Sequence, residues 1–434
     1  MSIDFTRAEN IVRQGASLKY SGSVQAISGL TVEAGGPAVQ IGEMCRIYTL
    51  AGDRFMPAEV VGFRDKRVLL MPYGDLVGVG PGSRVVSTNR TLSINVSEAL
   101  KGRVVDGLGN PMDGGAPINP EATVSAENMP PNPLDRPLIV DPLPMGVRAI
   151  DGLLTCGRGQ RIGIFAGSGV GKSTLLGMIA RNAKSDVNVI TLIGERGREV
   201  NGFLRHDLGE EGLKRSVVVV ASSDQPALIR AKSALTGTRI AEYFRDKGYN
   251  VLLMMDSLTR YAMAQREVGM AAGEPPVSRG YTPSVYTVMP KLLERTGNAP
   301  NGSITALYTV LVEGDDLNEP ITDTARGILD GHIVLSRAMA NRNHYPAIDV
   351  LASISRLMPD VTKREHYKQA GRIKSMMAVY RDAQDIINIG AYKSGSNPDI
   401  DASIKLNKPI TEFLQQDVDD GSPFETTLER LMKL

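Results

Sequence analysis

The segment Ala166-Gly167-Ser168-Gly169-Val170-Gly171-Lys172-Ser173-Thr174 constrains this chain more than any other. It follows an apolar strand-like run (Ile162, Ile164, Phe165) and opens a helix-like one (Leu175, Leu176, Ile179), so a strand, a glycine-rich turn and a helix must follow in immediate succession. Glycines let the backbone wrap closely round an anion, and the successive amide N–H groups and the helix N-terminus then converge on phosphate oxygens. Gly167, Ser168, Gly169, Val170, Gly171 and Thr174 are therefore expected to line a phosphate site. Lys172 is expected to reach the β- and γ-phosphates, and the Ser173 hydroxyl to ligate Mg²⁺. The first motif position is Ala166 where glycine is usual, a small change at the start of the turn.

Two carboxylates fall where such a site needs them. Asp256 ends the apolar run Val251 to Met255 and so lies at the carboxyl edge of a buried strand, where open α/β sheets bind ligands. There it can hold Mg²⁺ through the ion's water shell. Glu195 has the equivalent place after Val189 to Ile193, in Gly194-Glu195-Arg196-Gly197-Arg198-Glu199, and suits a group that orients and polarises an attacking water. Glu199 competes with it for that role, and the sequence leaves both open. Arg196 or Arg260 is a candidate to meet phosphate charge within the same chain, or to pair with a carboxylate.

Around this centre the chain of 434 residues divides by composition. Residues 1–18 place Phe5, Ala8, Ile11 and Val12 near one face of a possible helix, an arm for a partner or for the chain's own barrel. Residues 19–95 hold short β-type segments at even spacing (Gly22 to Ala26, Leu30 to Glu33, Cys45 to Leu50, Pro57 to Phe63, Val68 to Pro72), which predicts a small barrel or sandwich. A Pro-rich stretch, Asn128 to Pro144, reads as an ordered linker. Within residues 96–360, apolar runs (Ile162 to Ala166, Val187 to Ile193, Val217 to Ala221, Val251 to Met255, Ile304 to Val312) alternate with helical patterns, the signature of a mostly parallel sheet flanked by helices. Residues 361–434 read as helices: Arg364 to Ile389, Ser403 to Asp417 and Pro423 to Lys433.

Forty-nine basic against forty-eight acidic residues give a net charge of +1, which removes the bulk attraction that nucleic acid or anionic lipid requires. Apolar runs are far shorter than the roughly 20 residues of a membrane span, and the N-terminus lacks a signal peptide's apolar stretch, so a soluble, cytoplasmic protein is expected. Cys45, Cys156 and four unclustered histidines argue against a disulfide framework or a structural zinc.

Gly163 to Thr174, Gly194 to Glu199, Gly273 to Tyr281 and Asp330 to Leu335, with Gly102 to Gly109 and Gly146 to Gly152, together resemble the export ATPases of the bacterial flagellum and of type III secretion systems. These are relatives of the catalytic subunits of rotary ATP synthases. The resemblance covers nearly the whole chain. It implies an α/β fold with a RecA-like P-loop core, an N-terminal β-barrel and a C-terminal helical domain. It further implies a homohexamer with ATP and Mg²⁺ between neighbouring subunits, membrane-peripheral at the inner face of the cytoplasmic membrane through the export apparatus. By position, Lys172 and Ser173 bind phosphate and Mg²⁺, Glu195 is the catalytic carboxylate and Asp256 belongs to the metal-binding strand. Arg356, in Ser353-Ile354-Ser355-Arg356, matches an arginine finger that reaches the neighbour's γ-phosphate. Tyr345 matches an aromatic that packs on adenine, and the second adenine-side position falls near Pro409 and Ile410. Implied partners are a stator-like regulator at the N-terminal arm, a central coiled-coil stalk at the channel segment Glu267 to Pro283, export substrates and chaperones, and the export gate at the membrane.

The flagellar system is the first reading and a virulence injectisome the alternative. A rotary synthase catalytic subunit fits less well, because the helical region after Arg356 is short and the Ser278-Arg279-Gly280 loop leans toward the export branch. An RNA-tracking hexameric motor would need a basic or aromatic track; with 5% aromatics and no Trp, no nucleic-acid partner is expected.

Overall fold

The computed structural model describes residues 21–312, 316 and 319–434. The expected arm at 1–18 lies outside the described residues. By residue contact the chain forms two compact units, one reaching Ser93 and including Pro226–Leu228 and Glu267–Pro275, the other holding the rest.

In the first unit six strands, β1 (Ser21–Ser28), β2 (Thr31–Gly35), β3 (Glu43–Tyr48), β4 (Phe55–Arg64), β5 (Arg67–Pro72) and β6 (Arg84–Thr91), close into a barrel in the order β1-β2-β5-β4-β3-β6. The barrel interior explains the alternation in the sequence: Val32 and Ala34, Cys45 and Ile47, Ala58 and Val60, and Val68 and Leu70 point inward in period two. The barrel form is the one observed, and β6 is a strand the sequence reading lacked. Its stretch RVVSTNRT offers only Val85 to the interior. Closure depends on it, because β6 pairs with both β1 and β3 and so leaves no open edge.

The second unit carries a ribbon of β7 (Ser93–Val96) with β9 (Ala122–Ser125) and a large sheet. That sheet comprises β8 (Val104–Asp106), β10 (Arg161–Ala166), β11 (Val187–Ile193), β12 (Ser216–Ala221), β13 (Asn250–Asp256), β14 (Gly297–Asn298), β15 (Ser303–Leu311), β16 (Gly331–Leu335) and β17 (Ile348–Ser355). Its order is β17-β16-β10-β15-β13-β11-β12-β8, with β14 added beside β15. All neighbours along this order are parallel except β16 and β17, which run antiparallel. The five apolar runs seen in the sequence are the central strands β10 to β13 and β15, buried on both faces as parallel strands must be.

The C-terminal helices Arg364–Asn388, Pro398–Leu414 and Phe424–Met432 share a core with the sheet: Ile373, Ile410, Phe413 and Leu431 pack with Ile150, Leu153 and Ile164. The helix read from the sequence as Ser403 to Asp417 starts and ends earlier. Asn397 caps it, its side-chain oxygen accepting from the N–H of Asp399 (2.9 Å) and Ile400 (3.3 Å), with Pro398 at the first helical position. No helix among the described residues is long and apolar enough to cross a membrane.

One ion pair is sealed inside the second unit. Arg295, 3% exposed, donates to both oxygens of the fully buried Glu242 at 2.8 and 3.0 Å. Burial opposes ionisation of Glu242, but the bonds from Arg295 and Asn128 outweigh it and hold its carboxyl below the usual range. Arg239 Nη1 also donates to Glu242 Oε2 at 3.0 Å, so removing Arg295 leaves a buried carboxylate with only one of its two cationic partners. Arg295→Ala is expected to cost about 3–5 kcal/mol in urea unfolding at pH 7. The loss should shrink as pH falls through the acidic range where Glu242 takes up a proton; a loss under 1 kcal/mol at pH 7 would contradict this.

Candidate active site

β10 ends at Ala166, and the chain turns into the helix Lys172–Asn182 through Gly167 to Gly171. Gly169 (φ +75°) and Gly171 (φ +89°) adopt the left-handed backbone that the turn needs and that a side chain would strain. β13 lies two places from β10 and β11 three, all parallel, so their carboxyl ends meet the loop at one sheet edge. Register sets the rest: Asp256 is level with Leu192, three residues before Glu195.

Lys172 consequently stands between two carboxylates. Its Nζ donates to Asp256 Oδ1 and lies 3.7 Å from Glu195 Oε1. Asp256, 3% exposed, also accepts from Thr309 Oγ1 of β15 at 2.7 Å. The Arg260 Nε is 3.9 Å from Glu195 Oε1. Arg260 is packed so closely under Gly194 (φ +68°) that a Cβ there would come 2.9 Å from its side chain, which explains the glycine before Glu195. Burial and the neighbouring Asp256 push the Glu195 carboxyl up to about 7 against the opposing pull of Lys172 and Arg260, and a hydrogen bond with Glu199 adds to the rise.

Of the two glutamates, Glu195 faces Lys172. Glu199 is exposed and 3.5 Å from Arg196, whose side chain is 76% exposed, so the structure sets Arg196 on Glu199 at the rim. Ser173 is exposed in the first helical turn. Among the described residues no three His, Cys, Asp or Glu side chains cluster as a metal cage. The donor set of Ser173 and Asp256 nonetheless fits Mg²⁺, which takes one or two protein oxygens and completes its shell with water and phosphate. Glu195 is raised first by burial and then by Asp256, and a divalent cation beside Asp256 would oppose the second of these.

Beyond Gly171 the loop opens on a cleft of about 650 Å³. The Tyr345 ring lies over Gly171, where an added Cβ would be 3.4 Å from it. Pro409 and Ile410 are not in this cleft. They sit inside the helix Pro398–Leu414, with Ile410 buried in the core, and the wall is made instead by the loop that follows, Gln415 to Val418. The aliphatic residue sharing the cleft with Tyr345 is Val418.

Arg356 is elsewhere. It follows β17, whose antiparallel course returns the chain to the sheet's other edge, and its N–H donates to Asp330 O at 3.0 Å. Asp330 is in turn bonded to Arg161 at the start of β10. From there to the phosphate loop is the length of that strand, roughly 20 Å at about 3.3 Å per residue. Sequence reasoning missed Thr309 and the Gln415 to Val418 wall, which carry no local motif, and gave no role to Arg148 although it lies in the matched stretch Gly146 to Gly152.

A glycine-rich turn, its lysine and two strand-end carboxylates on a parallel sheet define a P-loop ATPase. The family model described as ATP synthase alpha/beta family, nucleotide-binding domain, matches residues 146–355. The beta-barrel domain of that family matches 24–89, and the T3SS EscN ATPase C-terminal domain matches 362–433. A flagellum-specific ATP synthase of Bacillus subtilis is 54% identical over 96% of each chain. A solved structure of the assembled ATPase EscN from the enteropathogenic E. coli type III secretion system superposes with a TM-score of 0.91 at 49% identity, covering 95% of this chain and 99% of that one. EscN in complex with its central stalk EscO gives 0.88 at 48% identity, with the same coverage. The chain belongs to the family of flagellum-specific ATP synthases and type III secretion system ATPases.

Because the Glu195 carboxyl titrates above its ordinary range, its contribution to stability is complete below that range and is lost as pH rises towards 7. Glu195→Gln, which cannot ionise, is expected to raise the melting temperature by about 2–4 °C at pH 8, and by progressively less towards pH 5. A melting temperature lowered at pH 8, or a pH-independent shift, would refute the environment assigned to Glu195.

Proposed function

We propose that this ATPase works as a homohexamer that hydrolyses Mg-ATP at its subunit interfaces and so energises unfolding and delivery of substrates to the flagellar export apparatus. The amides of Gly167 to Thr174 cradle the phosphates, with Lys172 on the β- and γ-groups. Mg²⁺, held by Ser173 and through water by Asp256, would neutralise charge developing on the phosphate oxygens. Glu195 orients the attacking water and takes its proton as the water oxygen bonds to the γ-phosphorus, and the bond to ADP breaks. A carboxylate titrating near 7 is matched to that work. Glu199 and Arg196 adjust Glu195 from the rim, and Tyr345 packs on the base.

The observation that carries this reading is the separation of Arg356 from its own phosphate loop by the length of β10. An arginine at that edge can meet a γ-phosphate only if another subunit supplies it, and a finger in trans is worth about 10³ to 10⁵ in rate. Lys172→Ala and Arg356→Ala proteins are each expected to be almost inactive alone. Mixed one to one, they should regain turnover at up to about one interface in four, where an intact loop meets an intact finger. No recovery in rings verified as mixed would overturn the shared site.

The EscN structure in complex with its central stalk EscO supports a central stalk partner here; a coiled coil contacting Glu267 to Pro283 is the form proposed for it. A regulator at residues 1–18, chaperones, and attachment to the membrane through the export gate complete the proposal. The 54% identity to a flagellum-specific relative favours the flagellar system, and the EscN likeness at 49% makes the injectisome the second reading. Expression in a motile bacterium lacking its flagellar export ATPase is expected to restore swimming; restored secretion only in an injectisome mutant would reverse the order.

A further inference from the structure

Arg148 is an arginine at 4% exposure that opens the short helix Arg148–Leu153 and lines the cleft beyond Gly171. A buried guanidinium has to spend its donors within the protein. Arg148 spends them on one segment. Its Nε donates to Phe413 O at 2.8 Å, Nη2 to Gln415 O, and Nη1 to Asp420 Oδ2 at 2.6 Å. Phe413 and Gln415 lie at the end of the helix Pro398–Leu414, where carbonyls lack intrahelical partners.

The segment returns the grip. Gln416 Oε1 accepts from the Arg148 N–H at 2.8 Å, and Gln416 Nε2 donates to Gly146 O at 2.8 Å. The Gln416 N–H also donates to Tyr345 O at 2.9 Å. The loop from Gln415 to Asp420 belongs to no helix or strand, so these bonds replace a regular ladder in fixing it. Of the exposed apolar groups of the cleft, Tyr345 (41%) is tied to this clasp directly, and Val418 (40%) lies in the clasped loop and is also held by Arg181, whose Nη2 donates to Val418 O at 2.7 Å. Gly171 and Lys172, which hold the phosphate end, take no part in it.

We propose that Arg148 is a positioning residue for the base subsite: by clasping Gln415 to Asp420 it sets the gap in which a nucleobase is held, and it leaves phosphate binding to the loop at Lys172. This inference rests on the reading of the cleft as the nucleotide site.

The test separates the two ends of the ligand. In the full-length protein with Mg²⁺, Arg148→Gln is expected to weaken ADP at least tenfold, while inorganic tripolyphosphate, which has phosphates but no base, inhibits as it does in the unmutated protein. KM for ATP should rise at least tenfold and kcat change less than threefold. Arg148→Lys should recover part of the ADP affinity, and Asp420→Asn should lose less than Arg148→Gln does, which keeps the test informative if Arg148→Gln is poorly folded. ADP affinity unchanged across the series, or ADP and tripolyphosphate weakened alike, would overturn the proposal. An unmutated protein that binds neither compound would instead overturn the nucleotide reading, and the inference with it.

Discussion

The ammonium of Lys172 between the carboxylates of Asp256 and Glu195 is the arrangement on which the rest of the structure depends. A pair of unit charges about 4 Å apart near a protein surface is worth on the order of 4 kcal/mol, enough to hold Lys172 in place and also enough to make the two carboxylates oppose one another. The conflict is visible in Glu195, which burial and Asp256 push up to about 7 although Lys172 and Arg260 favour its ionised form. Three parallel strands must end level for this to occur. A shift of one residue between β11 and β13 would reverse the faces of their side chains and take Asp256 off Lys172. The apolar strands are the support for a polar cluster at their tips.

How legible this was in the sequence depended on whether a feature was local. The phosphate loop, Glu195 and Asp256 each follow an apolar run of five or more residues, and a charged group that closes such a run is placed at a sheet edge by the run itself. Half-buried strands gave no such signal. β16 and β17 alternate buried and partly exposed positions, and β6 shows the barrel interior only Val85. Thr309 lies inside a strand among apolar neighbours, and only the register of β15 beside β13 brings it to Asp256. The resemblance put a second adenine-side position near Pro409 and Ile410, but the cleft beside Tyr345 is walled by Gln415 to Val418 instead. The helix ends at Leu414 because its C-cap, Gln415, turns to extended backbone, which leaves the later residues as a loop.

Arg356 shows how strand direction can decide a mechanism. Had β17 run parallel to β16, its last residue would lie at the edge of the phosphate loop and one chain could hold both loop and finger. Antiparallel pairing, with Gly331 opposite Ser355, carries it to the far edge instead. In the proposed mechanism a ring of identical chains brings the loop of one copy to the arginine of the next, because every copy presents the loop at one edge and the arginine at the other.

The same division of labour extends to the helical region. Arg148 and Gln416 are 268 residues apart in sequence, yet between them they fix the loop opposite Tyr345. The C-terminal helices share their core with the sheet through Ile373, Ile410 and Phe413, so a displacement of those helices cannot leave the loop where it is. In the proposed reading, base contacts are in this way tied to the position of the helices, while phosphate contacts are tied to the sheet.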